Sequence, residues 1–207
     1  DESQCRSRGR DVLATVEAAV NGGVTCVQLR AKGTDGGLFL TQVLEVAEVI
    51  GDQVPVIVND RVDIFLAARD QGAPVAGVHL GQLDLPARIA RRLVGEEAYL
   101  GLSAATPDEL RTAQEQGACD HVGIGVVHPT ATKADAPKSL GVNGVARMAA
   151  LIDLPAVAIG GIAASGLPAL RAGGLAGAAV VSAICTAEDP RSVAADLHRA
   201  WDEGCRR

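Results

Sequence analysis

Short β-branched runs alternate with stretches of helical spacing along this chain, and that alternation constrains its fold more than any other feature. Residues 24–30 (VTCVQLR), 54–59 (VPVIVN), 76–80, 99–102, 120–125, 155–159 (PAVAI) and 177–181 read as strands, most of them ending in polar residues or glycine. Runs this short with such boundaries suit buried strands rather than helices. Helical spacing fills 10–21, 38–50, 62–69, 142–151, 165–172, a segment from about Pro86 and another from Asp189-Pro190 to about Trp201. Thr106, Pro107 and Glu109 form a capping-box pattern ahead of one more helix.

Repeated strand–helix units imply a parallel sheet with helical crossovers. At this length they point to a single (β/α)8 TIM barrel spanning 1–207, with its chemistry at the carboxyl ends of the strands. The sequence shows seven strand-like runs, and residues 1–9 are polar with no β pattern. A barrel lacking a strand exposes two edges. The expectation is therefore that the first strand is missing from the N-terminus of this chain.

Composition narrows the class. Hydrophobic residues make up 48% and aromatics 2%, so the core must be Val, Ile, Leu and Ala, as in strands buried on both faces. A net charge of −6, with no basic run interleaved with aromatics, argues against nucleic acid as a partner. No apolar run has the length of a membrane span, and no signal peptide is visible. The five cysteines form no C-x-x-C pair and are odd in number, which disfavours a disulfide framework or zinc site and fits a cytoplasmic protein. Cys26 and Cys185 are expected in the core.

The strand ends carry the candidate chemistry. In chain order they offer Gln28, Arg30 and Lys32; Asn59 and Asp60; His79, Gln82 and Asp84; Ser103; Thr130, Thr132 and Lys133; Gly160 and Gly161; and Ser182. Three cations (Arg30, Lys32, Lys133) would face two carboxylates (Asp60, Asp84) at one mouth. Carboxylates beside cations repel a simple anion unless a metal lies between. Mg²⁺ takes one or two carboxylates plus phosphate oxygens and water, so the inferred ligand is a diphosphate with magnesium. Gly160-Gly161 and Val181-Ser182 offer backbone amides where barrels often hold a second, simple phosphate.

Taken singly, each feature has an ordinary reading. Asn59-Asp60 suits a turn or helix cap, and Gly160-Gly161 a tight turn. His79 reads as a hydrogen-bonded core histidine, His121 and His198 as structural or surface residues, while His128 enters the Thr-x-Thr-Lys loop and stays open. The joint placement at strand ends is what favours a site.

These segments resemble thiamine phosphate synthase. The resemblance is carried by VQLRAK (27–32), VPVIVNDRVDI (54–64), GVHLGQLDLP (77–86), GLSAAT (101–106), GVVHPTATKADAP (125–137), AIGGI (158–162) and VVSAI (180–184), and runs from about Gly9 to the C-terminus. That family joins a hydroxymethylpyrimidine diphosphate to a thiazole phosphate, releasing pyrophosphate. The resemblance implies that Gln28, Arg30, Lys32, Asn59, Ser103 and Lys133 hold the pyrimidine diphosphate, with Arg30, Lys32, Ser103 and Lys133 catalytic. Asp60 and Asp84 would bind Mg²⁺, and Thr130, Thr132, Gly161, Val181 and Ser182 the thiazole phosphate.

The family is thought to react dissociatively, which requires the departing charge to be stabilised and the cation shielded from water. Two departures stand out. Family members begin with a strand ending in a Thr-Asp-like pair, whereas this chain starts near that Asp, at Asp1. His128 stands where the family often has Phe. Rival readings are a thiazole tautomerase-like relative, another phosphosugar barrel enzyme and a non-catalytic phosphate-binding regulatory barrel. A homo-oligomer and fusion to a pyrimidine kinase domain in a longer protein stay open.

Overall fold

The computed structural model describes residues 1–129 and 139–206. Seven parallel strands lie in sequence order in one sheet: β1 (Val27–Leu29), β2 (Val56–Asn59), β3 (Gly77–Leu80), β4 (Tyr99–Ala104), β5 (His121–Gly125), β6 (Ala156–Ile159) and β7 (Gly177–Ala179). Consecutive strands pair in parallel, with Asn59 opposite His79, His79 opposite Gly101 and Ser103 opposite Gly123. The helices are α1 (Glu2–Arg6), α2 (Val12–Asn21), α3 (Gly36–Ile50), α4 (Val62–Asp70), α5 (Ala87–Val94), α6 (Pro107–Gln116), α7 (Gly141–Ala149), α8 (Leu167–Ala172), α9 (Ser182–Cys185) and α10 (Pro190–Glu203).

Period-two alternation divides the sheet into two faces. Val56, Val58, Val78, Leu80, Leu100, Val122, Ile124 and Ala158 are fully buried on the outer face, in one apolar cluster with Phe39, Phe65 and Leu110 of the helices. The inner face carries Asn59, His79, Gly101, Ser103 and Gly123 in its upper layers. The sheet curls, because its first and last units meet: α10 packs on α2. A Cβ at Gly22, just past α2, would lie 2.4 Å from the Arg191 carbonyl oxygen, so glycine permits that close approach. Arg10 also donates to the Glu188 carbonyl at 2.9 Å.

The result is a partial barrel. The seven strands match the expectation of a barrel pattern lacking its first strand, and among the described residues no closed ring of eight is formed, since β1 and β7 each pair with a single neighbour. Residues 1–9 begin instead with the short helix α1, capped by the Asp1 side chain accepting from the Gln4 amide at 3.2 Å. A polar run with an acid at the cap, Glu2 in the first turn and Arg6 at its end suits a helix turn better than a strand.

Cys185 is buried, as expected, but Cys26 is exposed and not in the core. Cys26, just before β1, falls on the same side as Gln28, also exposed, and among the described residues β1 has a strand neighbour on one side only. Among the described residues no helix is long and apolar enough to cross a membrane.

Candidate active site

The carboxyl ends of β2, β3 and β4 form the most strongly tied part of the mouth. Asn59, the last residue of β2, is buried. Asp60 follows with φ +64°, a left-handed conformation that aspartate tolerates better than most side chains. Its amide donates to the His79 carbonyl at 2.8 Å, which fixes the start of the loop after β2 against β3. The loop after β3 is closed by Asp84, whose Oδ2 accepts from the Gly81 amide at 2.7 Å. Gln82 in that loop donates through Nε2 to the Ser103 carbonyl at 2.7 Å, tying the loop to β4. His79 Nε2 lies 3.0 Å from Ser103 Oγ. Asn59, Asp60, Asp84 and Ser103 are thus brought together on three adjacent strand ends.

Below them two imidazoles fill the inner face. The His79 and His121 ring centroids are 5.5 Å apart. Burial pushes the His121 pKa below its ordinary value, partly opposed by the charge of Asp120.

The mouth is built differently on the β1 side, where α1 lies between β1 and α9. Arg30, just past β1, donates through Nη1 to Asp1 Oδ2 at 2.7 Å; the two side chains are 17% and 3% exposed. The Glu2 amide donates to the Arg30 carbonyl at 3.0 Å. The Glu2 carboxylate takes bonds from Arg6 and from Thr34 in the loop after β1. Gln28 and Lys32 are exposed on this side. Sequence reasoning gave Arg30 to a ligand and assigned Asp1 no structural partner; a pair this far apart in sequence leaves no local pattern.

The ends of β5, β6 and β7 meet at the third side. Gly160 and Gly161 have φ +92° and +63°, and a Cβ on Gly161 would lie 2.6 Å from the His128 carbonyl oxygen. The glycine pair is therefore a close approach between loops as well as a turn. His128 donates its amide to the Gly160 carbonyl at 3.0 Å. Ser139 Oγ and the Gly141 amide return to the Val127 carbonyl at 2.6 and 2.9 Å, so the segment leaving β5 departs and rejoins at one point. Thr130, Thr132 and Lys133 lie outside the described residues. Gly161 and Ser182 line one cleft of about 410 Å³ with Ile162, Ala183 and Leu197. Val181 precedes the single-turn helix α9, which the sequence pattern missed because four residues carry no periodicity.

Two carboxylates on neighbouring loops match the donor set Mg²⁺ takes alongside phosphate oxygens and water. No group of three or more His, Cys, Asp or Glu residues suited to hold a metal occurs among the described residues. A metal here would thus depend on oxygens from its ligand, which is how magnesium meets a diphosphate.

Residues 1–184 match the family model described as thiamine monophosphate synthase. The thiamine-phosphate synthase of Vibrio parahaemolyticus is 44% identical over 188 residues, covering 90% of this chain and 89% of that one. The thiamine-phosphate synthase of Vibrio campbellii is 43% identical over 178 residues, covering 86% and 84%. The solved structure of a thiamine phosphate pyrophosphorylase from Pyrococcus furiosus superimposes with a TM-score of 0.84 at 29% identity, covering 94% of this chain and 91% of that chain. Taken with the mouth described above, these matches mean that the chain belongs to the thiamine monophosphate synthase family.

Proposed function

We propose that this enzyme joins 4-amino-5-hydroxymethyl-2-methylpyrimidine diphosphate to a thiazole phosphate, giving thiamine phosphate and pyrophosphate. The observation that carries the reading is the family match over residues 1–184, which includes every strand end assigned to a substrate. The seven-stranded sheet is read as seven of the eight strands of a (β/α)8 barrel, and the mouth as its catalytic end. Five free cysteines fit a cytoplasmic enzyme.

In this reading Gln28, Arg30, Lys32, Asn59, Ser103 and Lys133 hold the pyrimidine diphosphate. The methylene C–O bond breaks and its electron pair leaves with pyrophosphate. The thiazole nitrogen then donates its lone pair to the methylene carbon, forming the C–N bond. Neither change requires a protein base, so the side chains act by position and charge. Arg30, Lys32 and Lys133 stabilise the charge that develops on the departing oxygens. Asp60 and Asp84 would hold Mg²⁺, which when bound would neutralise part of the diphosphate charge. Thr130 and Thr132, with the backbone at Gly161, Val181 and Ser182, hold the thiazole phosphate.

The test omits each precursor in turn and follows thiamine phosphate. Product requiring both precursors supports the reading. Thiazole isomerisation without coupling would point to the tautomerase-like alternative, and binding without turnover to a regulatory barrel. Lys133→Ala is expected to lower turnover by about 10²-fold or more, the scale of losing one preorganised donor to a developing charge. Normal turnover in that variant removes Lys133 from the mechanism.

A further inference from the structure

We propose that His79 is a positioning residue for Ser103, fixing its hydroxyl at the rim of the pyrimidine diphosphate site; this rests on the coupling reading above. Strand register pairs His79 with Gly101, one inward position below Ser103. The ring leans along the strand to bring Nε2 within 3.0 Å of Ser103 Oγ. Glycines make the room. A Cβ at Gly101 would lie 2.2 Å from His79 Nδ1, and one at Gly123 would lie 3.2 Å from His79 Cε1. Two neighbouring strands therefore give up an inward side chain at the level of this ring, which is 8% exposed.

A serine hydroxyl is a rotor with one donor and two acceptor directions. A buried ring nitrogen beside it removes that freedom. Either tautomer works: Nε2 as acceptor turns the hydroxyl proton inward and the lone pairs to the mouth, and Nε2 as donor does the reverse. Gln82 fixes the same residue from the other side by binding its carbonyl. The His79 main chain also receives the Asp60 amide. One residue on β3 thus sets a group on each flanking strand end. Preorganisation of this kind matters where the reaction gains little from acid–base chemistry and most from geometry.

The test compares His79→Gln, His79→Asn and His79→Leu, alone and combined with Ser103→Ala. A glutamine amide reaches the position of Nε2; an asparagine amide reaches that of Nδ1 only. His79→Gln is expected within about 5-fold of wild type. His79→Asn and His79→Leu are expected to lose about 10- to 10²-fold in kcat/KM for the pyrimidine diphosphate, with KM for the thiazole phosphate unchanged. In the Ser103→Ala background, His79→Asn should cause no further loss. Equal losses in all three single variants that follow their melting temperatures, or losses that multiply with Ser103→Ala, overturn the inference while leaving the coupling reading intact. A wild-type chain that forms no product overturns both. Independently of turnover, the ¹⁵N shift of His79 Nε2 should move in Ser103→Ala, and an unmoved resonance contradicts the contact.

Discussion

The wall formed by β2, β3 and β4 and the seam between β7 and β1 are held by different means. At the wall, inter-strand register, the Asp60 amide and Gln82 tie the loops after β2 and β3 to the next strand, Asp84 closes its own loop on Gly81, and His79 joins β3 to Ser103 below the rim. At the seam the strands are three residues long, β7 is half-buried throughout, and α1 is fastened to Arg30 through Asp1 and Glu2 and meets α9 where the Asp1 amine lies 3.7 Å from Cys185 Sγ. Several short-range bonds with little slack define the wall; one charged pair and one backbone bond define the reach from α1 to Arg30. The difference teaches that one mouth can join a wall preorganised by short bonds to a side, carrying Arg30 and Lys32, that is more simply fastened.

The largest effect expected from breaking this contrast is that of Gly101→Ala. Its Cβ would stand 2.2 Å from His79 Nδ1 and 2.4 Å from His121 Nε2, so both rings must move. Misplacement on the scale of an ångström costs on the order of 10²-fold in rate, and steady-state kinetics should show it. Turnover within a few-fold of wild type would mean that the wall tolerates displacement.

Asp1→Asn tests the seam. Asparagine keeps the cap on α1 but removes the charge facing Arg30. The expected cost is about 2 kcal/mol in urea unfolding, below that of a fully buried pair because Arg30 keeps contact with water. Turnover should change far less than in Gly101→Ala. A collapse of turnover with little loss of stability would mean that Asp1 sets Arg30 for the chemistry and does not merely fasten α1.

The smallest effect is on acid stability. His121 has its pKa lowered by burial in the folded chain, so the unfolded chain takes up a proton first as pH falls. Its stability contribution is full above about pH 6.5 and is lost as pH drops through the lower folded value, by no more than about 1.4 kcal/mol per pH unit. His121→Gln should flatten that slope in unfolding measurements between pH 7 and 5. An unchanged slope would assign the acid sensitivity to other groups.

The strands could be read from the sequence because their outward Val, Ile and Leu residues repeat with period two under flanking helices, and Thr106 with Glu109 announced a capping box that the structure contains. The helices α1 and α9 could not, because five and four residues are too few to show a helical period. The polar residues at strand ends were visible as a set. Their partners were not: the His79–Ser103 contact needs the register of two strands, and the Asp1–Arg30 pair joins residues 29 positions apart. Cys26 was misplaced for a related reason, since an apolar-looking strand reveals nothing of whether it has one neighbour or two.

Pyrophosphate release by the wild-type chain, given both precursors with magnesium and then with chelator, bears most directly on the reading of this mouth. Release matched one for one by thiamine phosphate, and abolished when the chelator is added, is the predicted result. Undiminished release without divalent metal would contradict the pairing of Asp60 and Asp84 with a metal-bound diphosphate.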